Sequence, residues 1–254
     1  MHLTDEEIRQ ILLKEKRKKR RKKKLIRRAI ALLVLILIVA LGIGLFANRH
    51  LRKRREWTKP GLERGIIFLD PGHGGGDPGA EFGKRKEKDD TLRIAKLVKN
   101  HLEEKGFTVY LSRDKDVWVE RDERSKMANK YTADLMLSIH RNRAVEGRGV
   151  ETWIQSTDPA DSRLLAENLL KYVSKVHDMP ARKVGVGTVA DPTDDYVENS
   201  LSKMPSCIIE LGFVTDKTDN ALFDKYLDEY AKAVADAIEV TYKELYEKDK
   251  DKKK

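Results

Sequence analysis

Three observations predict an α/β fold, a single domain with a mainly parallel twisted sheet flanked by helices, preceded by one transmembrane helix. Between residues 65 and 248, short apolar runs alternate with segments of helical periodicity, the order of βα units. The runs are nearly continuous in apolar residues, as strands covered on both faces must be. Ahead of them, 19 uncharged residues, 29–47, stand between two basic clusters.

At the amino terminus, residues 1–28 form a basic segment of net charge +9, with every residue from Lys16 to Lys24 basic. Thr4-Asp5-Glu6-Glu7 has the form of a capping box, so a helix can lead into the apolar segment. Nineteen residues give roughly 28 Å of helix, close to the ~30 Å hydrocarbon layer, and insertion is favoured by roughly 4–8 kcal/mol. Lys and Arg number 13 before the segment and seven after it, in residues 48–64. That bias places the amino terminus in the cytoplasm and the following domain outside, at the cell membrane. A cleaved signal peptide is the alternative; its apolar core is usually shorter, and only Gly42-Ile43-Gly44 resembles a cleavage site. Residues 48–64, with Pro60-Gly61, read as a stalk.

The domain itself, 65–248, opens with Gly65-Ile66-Ile67-Phe68-Leu69-Asp70, a buried strand ended by Pro71-Gly72. Apolar residues from Leu92 to Leu102 recur on one face of a helix over 89–104, which Gly106 ends. A strand over 108–112, a helix over 121–130 and a strand over 133–139 follow. Residues 149–155 read as a further strand, 161–176 as a helix and 206–211 as a strand; one long helix is expected over about 220–248. The tail, 249–254, is wholly charged and reads as solvated.

Charge and cysteine content exclude other classes. Outside the two basic clusters, residues 65–254 carry a net charge of −4, unsuited to nucleic acid, whose phosphates require a basic face. A single cysteine, Cys207, excludes an internal disulfide and a cysteine-rich zinc ribbon. It lies in an apolar run and reads as a core thiol.

In parallel sheets, ligands gather beyond the carboxy ends of the strands, and four residues fall there. His73 follows the first strand in Asp70-Pro71-Gly72-His73-Gly74-Gly75-Gly76-Asp77, Glu87 precedes a helix, His140 ends the 133–139 strand and Glu210 closes the Cys207 strand. Two imidazoles and a carboxylate make the three-ligand set of a catalytic zinc site, and a second carboxylate can carry a proton between water and a leaving amine. Each histidine alone more often ends a strand than binds a metal, and Glu87 alone reads as a solvated charge at a helix start. Glu210 is different, because a carboxylate in an apolar strand is costly without a partner or a function. The spacing matches no local metal motif, and no Gly-Lys-Ser/Thr follows the glycines, which suit close approach of an extended substrate.

These residues lie in an ordered set: Asp70-Pro71-Gly72-His73-Gly74-Gly75, Glu87-Lys88-Asp89, Ser138-Ile139-His140-x-Asn142, Gly149-Val150-Glu151-Thr152, Met204-Pro205 and Glu210-Leu211-Gly212-Phe213. The set, covering about residues 65–240, resembles the zinc-dependent N-acetylmuramoyl-L-alanine amidases of the amidase-3 type. The resemblance implies one Zn2+ per chain held by His73, Glu87 and His140, with Glu210 as the catalytic carboxylate and Asn142 as a substrate-binding residue. It also implies cleavage of the peptidoglycan amide between N-acetylmuramic acid and the L-alanine of the stem peptide. A non-catalytic peptidoglycan-binding scaffold or activator, and a zinc peptidase cutting within the stem peptide, are the alternatives. The expected partners are peptidoglycan and, through one helix, membrane lipid, with no nucleic acid and no obligate protein partner.

Arg141, Arg182-Lys183-Val184-Gly185 and Val214-Thr215-Asp216 depart from the family pattern and are expected around the substrate groove. Only 69 residues separate His140 from Glu210, little room for the inserted helix that blocks the zinc in some relatives. An enzyme free of that self-inhibition is expected.

Overall fold

The computed structural model describes residues 58–247 and eight residues between Leu32 and Ile43. The basic segment 1–28, most of the expected span 29–47, and the tail lie outside the described residues. The chain divides into two units, Met1–Lys53 and Arg54–Lys254. In the first, the described residues are helical, and Leu32, Leu33, Ile36, Ile38, Val39 and Ile43 expose their side chains. Among the described residues, no helix is long and apolar enough to cross a membrane.

The second unit is built on a six-stranded sheet. In chain order its described elements are β1 (Ile66–Pro71), the short strands β2 (Glu81–Phe82) and β3 (Arg85–Lys86), α1 (Glu87–Glu104), β4 (Thr108–Leu111), α2 (Arg121–Lys130) and β5 (Leu135–Asn142). Then come β6 (Val150–Ile154), α3 (Ala160–Val173), β7 (Ala181–Val186), α4 (Val197–Ser200), β8 (Ser206–Phe213), α5 (Lys217–Lys225) and α6 (Leu227–Tyr242). The sheet order is β4-β1-β5-β8-β6-β7. β4, β1, β5 and β8 are mutually parallel, so the carboxy ends of β1, β5 and β8 lie together at one edge.

β6 runs antiparallel to β8 and parallel to β7. The cause lies in the chain length: only residues 143–149 join β5 to β6, and a parallel return needs a crossover of a dozen or more residues. β2 and β3 pair as a hairpin in front of α1, and β7 forms a sheet edge; neither was expected from the sequence. The first half of β7, Ala181-Arg182-Lys183, is exposed, so it lacks the apolar run that marks the inner strands.

One face of the sheet packs Ile67, Leu69, Leu137, Ile139, Ile209 and Leu211 against Ile94, Val98, Leu165, Leu169, Val234 and Ile238 of α1, α3 and α6. The other face holds a smaller cluster, Ile66, Phe68, Met136, Ala128 and Ala133, near α2. Cys207 is buried in the larger core, and its burial pushes the thiol pKa far up. The long helix expected over 220–248 is instead two helices and a π-helical turn over Lys243–Glu247. Asp216 starts the first by accepting from the Asp219 N–H at 2.7 Å. Tyr226 leaves helical geometry at φ −121°, ψ 31°, and its ring stacks on His177.

The residues that lead into β1 are tied to this domain. Lys59 pairs with Glu103 at 2.8 Å, and Arg64 pairs with Glu239 at 2.7 Å and with Glu247 at 3.0 Å. Lys105, Arg64 and Lys243 hold the Glu239 carboxyl down at about 2 against the opposing effect of its partial burial.

Candidate metal centre

The site stands where β1, β5 and α1 meet. The penultimate residue of β1 is the buried Asp70, which accepts hydrogen bonds from Ser112 Oγ at 2.6 Å, Ser138 Oγ at 3.0 Å and Arg124 Nη1 at 2.7 Å. Arg124 also donates to the carbonyls of Pro71 and His73, each at 3.1 Å. Arg113 donates to those of Pro71 and Gly72. Two buried guanidinium groups thus grip three successive carbonyls of the loop after β1. That grip matters because His73 has φ +62°, a left-handed conformation costly for a residue with a Cβ. Gly72 is required for packing: a Cβ there would lie 2.2 Å from the His140 ring.

Glu87 is the first residue of α1, two residues before the helix start expected from periodicity. Its carboxylate is buried and accepts the backbone N–H of Ala80 at 2.8 Å and of Arg141 at 2.9 Å. The remaining directions face two imidazoles, His73 Nε2 at 3.1 Å and His140 Nδ1 at 3.0 Å. Burial alone would raise its pKa, but hydrogen bonds and charge from His140 and His73 hold it far below the usual carboxylate range. Burial disfavours charge on His140, yet the Glu87 carboxylate outweighs it and pushes that imidazole up to about 9. The other nitrogen of His73, Nδ1, lies 2.8 Å from Asp77 Oδ2, which fixes the ring as second partners of metal-binding histidines do.

One donor atom from each of His73, Glu87 and His140 lies within 4.8 Å of the others. Two nitrogens and an oxygen at that separation, with a carboxylate already ionised, suit a divalent cation. Glu210 stands beside them, paired across the sheet with His140 on β5 and Glu151 on β6. Its Oε2 is buried with no hydrogen-bond partner. Burial raises the Glu210 pKa, His140 opposes, and Glu87 and Glu151 reinforce the rise, leaving it at about 7. A carboxylate held there can both take and return a proton near neutral pH.

Residues 67–240 match the family of N-acetylmuramoyl-L-alanine amidases named Amidase_3. The chain belongs to that family. Among its relatives, the N-acetylmuramoyl-L-alanine amidase LytC of Bacillus subtilis (strain 168) is 35% identical over 70% of this chain, which spans 35% of LytC's length. Of solved structures, an N-acetylmuramoyl-L-alanine amidase from Clostridium difficile 630 is 30% identical, with a TM-score of 0.64 over 71% of this chain and 97% of that one. The CwlD amidase from Clostridioides difficile in complex with the GerS lipoprotein is 27% identical, with a TM-score of 0.58 over 70% of this chain and 98% of that one.

Within this amidase fold, His73, Glu87, His140 and Glu210 come together, as expected. Asn142 stands at the end of β5, where its Nδ2 donates to Glu151 Oε2 at 3.1 Å and its Oδ1 accepts from the Arg143 N–H. Arg141 borders the open recess beside the metal centre, but its guanidinium is turned away. Its guanidinium is buried against Asp90 at 2.7 Å and donates to the Leu211 carbonyl, because successive side chains of a strand point to opposite faces. Asp216 likewise caps α5 instead of facing substrate. Arg182 reaches Glu151 Oε1 at 2.6 Å, and so touches the carboxylate that neighbours Glu210. The residues that sequence reasoning missed are Asp70, Arg113, Arg124, Asp77 and Glu151. Asp70 and Glu151 stood within the quoted motifs without an assigned role, and Asp77 had a local signal, an acidic residue four after a candidate ligand.

Between His140 and Glu210, α3 packs on the far face of the sheet with α1 and α6. From that interval Tyr196, Glu198 and Ile208 line the more enclosed cavity beside the metal centre, and Arg141, Asn142 and Arg143 line the more open one.

Proposed function

We propose that this chain is a zinc-dependent peptidoglycan amidase that hydrolyses the bond between N-acetylmuramic acid and the L-alanine of the stem peptide. The observation that carries the reading is the convergence of His73, Glu87 and His140 beside a buried, partnerless Glu210 oxygen, inside the residues matched to the amidase family. His73, Glu87 and His140 would hold the metal. Bound there, Zn2+ would supply a Lewis acid for the amide carbonyl and for a water molecule.

The protein's own groups do the rest. Asp77 fixes the ring of His73, and the Ala80 and Arg141 N–H groups orient Glu87, which His140 and His73 keep ionised in the metal-free site. Glu210 accepts the proton of the attacking water and returns it to the departing alanine nitrogen, since an amine leaves only when protonated. Its place in a water-poor pocket keeps its pKa near neutrality, which both halves of that transfer need. Asn142, tied to Glu151, positions the substrate on the open side of the site.

Residues 29–47 would anchor the chain in the cell membrane with residues 1–28 in the cytoplasm and the amidase domain 65–248 within reach of the wall, on the stalk 48–64. Peptidoglycan and membrane lipid would then be its partners, with no obligate activator. The CwlD relative, solved with a lipoprotein, makes that last point worth testing directly.

Digestion of purified wall by the zinc-loaded chain, with mass spectrometry of the products, tests the reading. Intact peptides beginning with L-alanine are the expected product. Peptides cut within the stem would point to a zinc peptidase. Binding without cleavage, in protein that retains no metal, would point to a scaffold.

A further inference from the structure

We propose that Arg121, at the aromatic wall formed by Trp118 and Tyr196, is a specificity-determining residue that takes a free carboxylate of the stem peptide. The proposal rests on the amidase reading and says which half of the substrate lies on which side of the metal centre.

Two recesses open from His73, His140 and Glu210. One is polar and wide, with Asn142 and Arg143 at its rim. The other, about 200 Å3, is more enclosed and largely apolar, bounded by Trp118, Tyr196 and Ile208, and Arg121 stands in its lining. A glycan strand continues in both directions and needs an open-ended channel. A stem peptide is a branch with an end, and an enclosed recess suits it.

Arg121 acts on its surroundings through charge at a distance, helping to lower the Asp77 pKa. It is exposed on the first turn of α2, and among the described residues it makes no ion pair. Four of the acids around it are already engaged. Asp122 and Glu123 both pair with Lys126, at 2.7 and 2.8 Å, and Glu120 accepts from the Trp118 indole at 2.7 Å. Asp77, in the same lining, accepts from the Gly79 N–H through one oxygen and meets His73 through the other. Arg124 beside it is consumed by Asp70. A guanidinium with no ion pair among the described residues, at the rim of a largely apolar recess that begins at the reacting centre, fits a carboxylate as a two-pronged donor. Glu198 and Glu210 face the same recess and repel an anion, so the carboxylate is confined to the Arg121 end. The carboxylate assigned to Arg121 is the one borne by the residue after L-alanine, one residue beyond the cleaved amide.

The test uses the full chain, loaded with zinc in detergent, and two synthetic N-acetylmuramoyl tripeptides. In one the second stem residue is a side-chain-linked D-glutamate with its α-carboxylate free; in the other that carboxylate is an amide. The wild-type protein is expected to favour the free acid by roughly ten- to a hundredfold in kcat/KM, carried by KM. Arg121→Gln should bring the ratio close to one, and Arg121→Lys should restore part of it. Equal rates on the two substrates for the wild type, or an unchanged preference in Arg121→Gln, would overturn the subsite and leave the amidase reading intact. Failure of the wild type to cut either substrate would overturn both.

Discussion

Two buried carboxylates towards the ends of β1 and β8, the strands on either side of β5, have opposite surroundings. Asp70, next to last in β1, is fully buried and surrounded by donors: two hydroxyls and the Arg124 guanidinium. Glu210, near the end of β8, has one oxygen buried with no partner, and its nearest charges include two further carboxylates, Glu87 and Glu151. Stability explains the first environment and not the second. A buried polar atom without a partner costs about 1–3 kcal/mol, and a protein tolerates that where the group must stay free to exchange a proton.

The sharpest way to break this contrast is to neutralise each acid in turn. Glu210→Gln removes the proton carrier while preserving shape, so kcat on muropeptides should fall by roughly a hundred- to ten-thousandfold, with zinc content unchanged by metal analysis. Thermal stability should hold or rise, since an uncompensated buried acid is lost. Asp70→Ala should do the reverse and cost about 3–5 kcal/mol in denaturant unfolding, because it strands the buried Arg124 charge. Equal destabilisation by the two substitutions would mean that Glu210 is structural after all.

Smaller effects sharpen the picture around the metal ligands. Asp77→Ala should leave the fold intact and weaken zinc affinity by roughly ten- to a hundredfold, through loss of the second partner of His73; competition against a chromophoric chelator would measure it. Proton linkage should appear as well. The metal-free His140 is raised to about 9, so below that pH it carries a proton that the metal must displace. Apparent zinc affinity should therefore rise about tenfold per pH unit up to pH 9 and level off above it. Calorimetry at pH 7.5 in two buffers of different ionisation enthalpy should show a proton released on binding.

Much of this was legible in the sequence, for a physical reason. β1, β5 and β8 are covered on both faces, so burial wrote itself into unbroken apolar runs, and the carboxy-end rule then pointed to His73, His140 and Glu210. The parts that were not legible depend on contacts distant in the chain. Arg124 lies in a helix of almost entirely polar residues, and nothing local distinguishes it from a solvated arginine; only Asp70, 54 residues away, gives it a role. Arg141 misled for the opposite reason. Its position next to His140 suggested the groove, yet strand alternation sends it to Asp90. The direction of β6 could have been read from the seven-residue connection before it, whereas β7 hid because half of an edge strand is solvated.

The central claim is that three side chains from β1's loop, α1 and β5 seat one metal ion next to Glu210. Diffraction from zinc-soaked crystals, recorded on either side of the zinc absorption edge, tests it most directly. A single strong anomalous peak bounded by His73, Glu87 and His140, with the Glu210 carboxylate beside it, is the predicted result. A peak elsewhere on the domain, or none between those three residues, would contradict it.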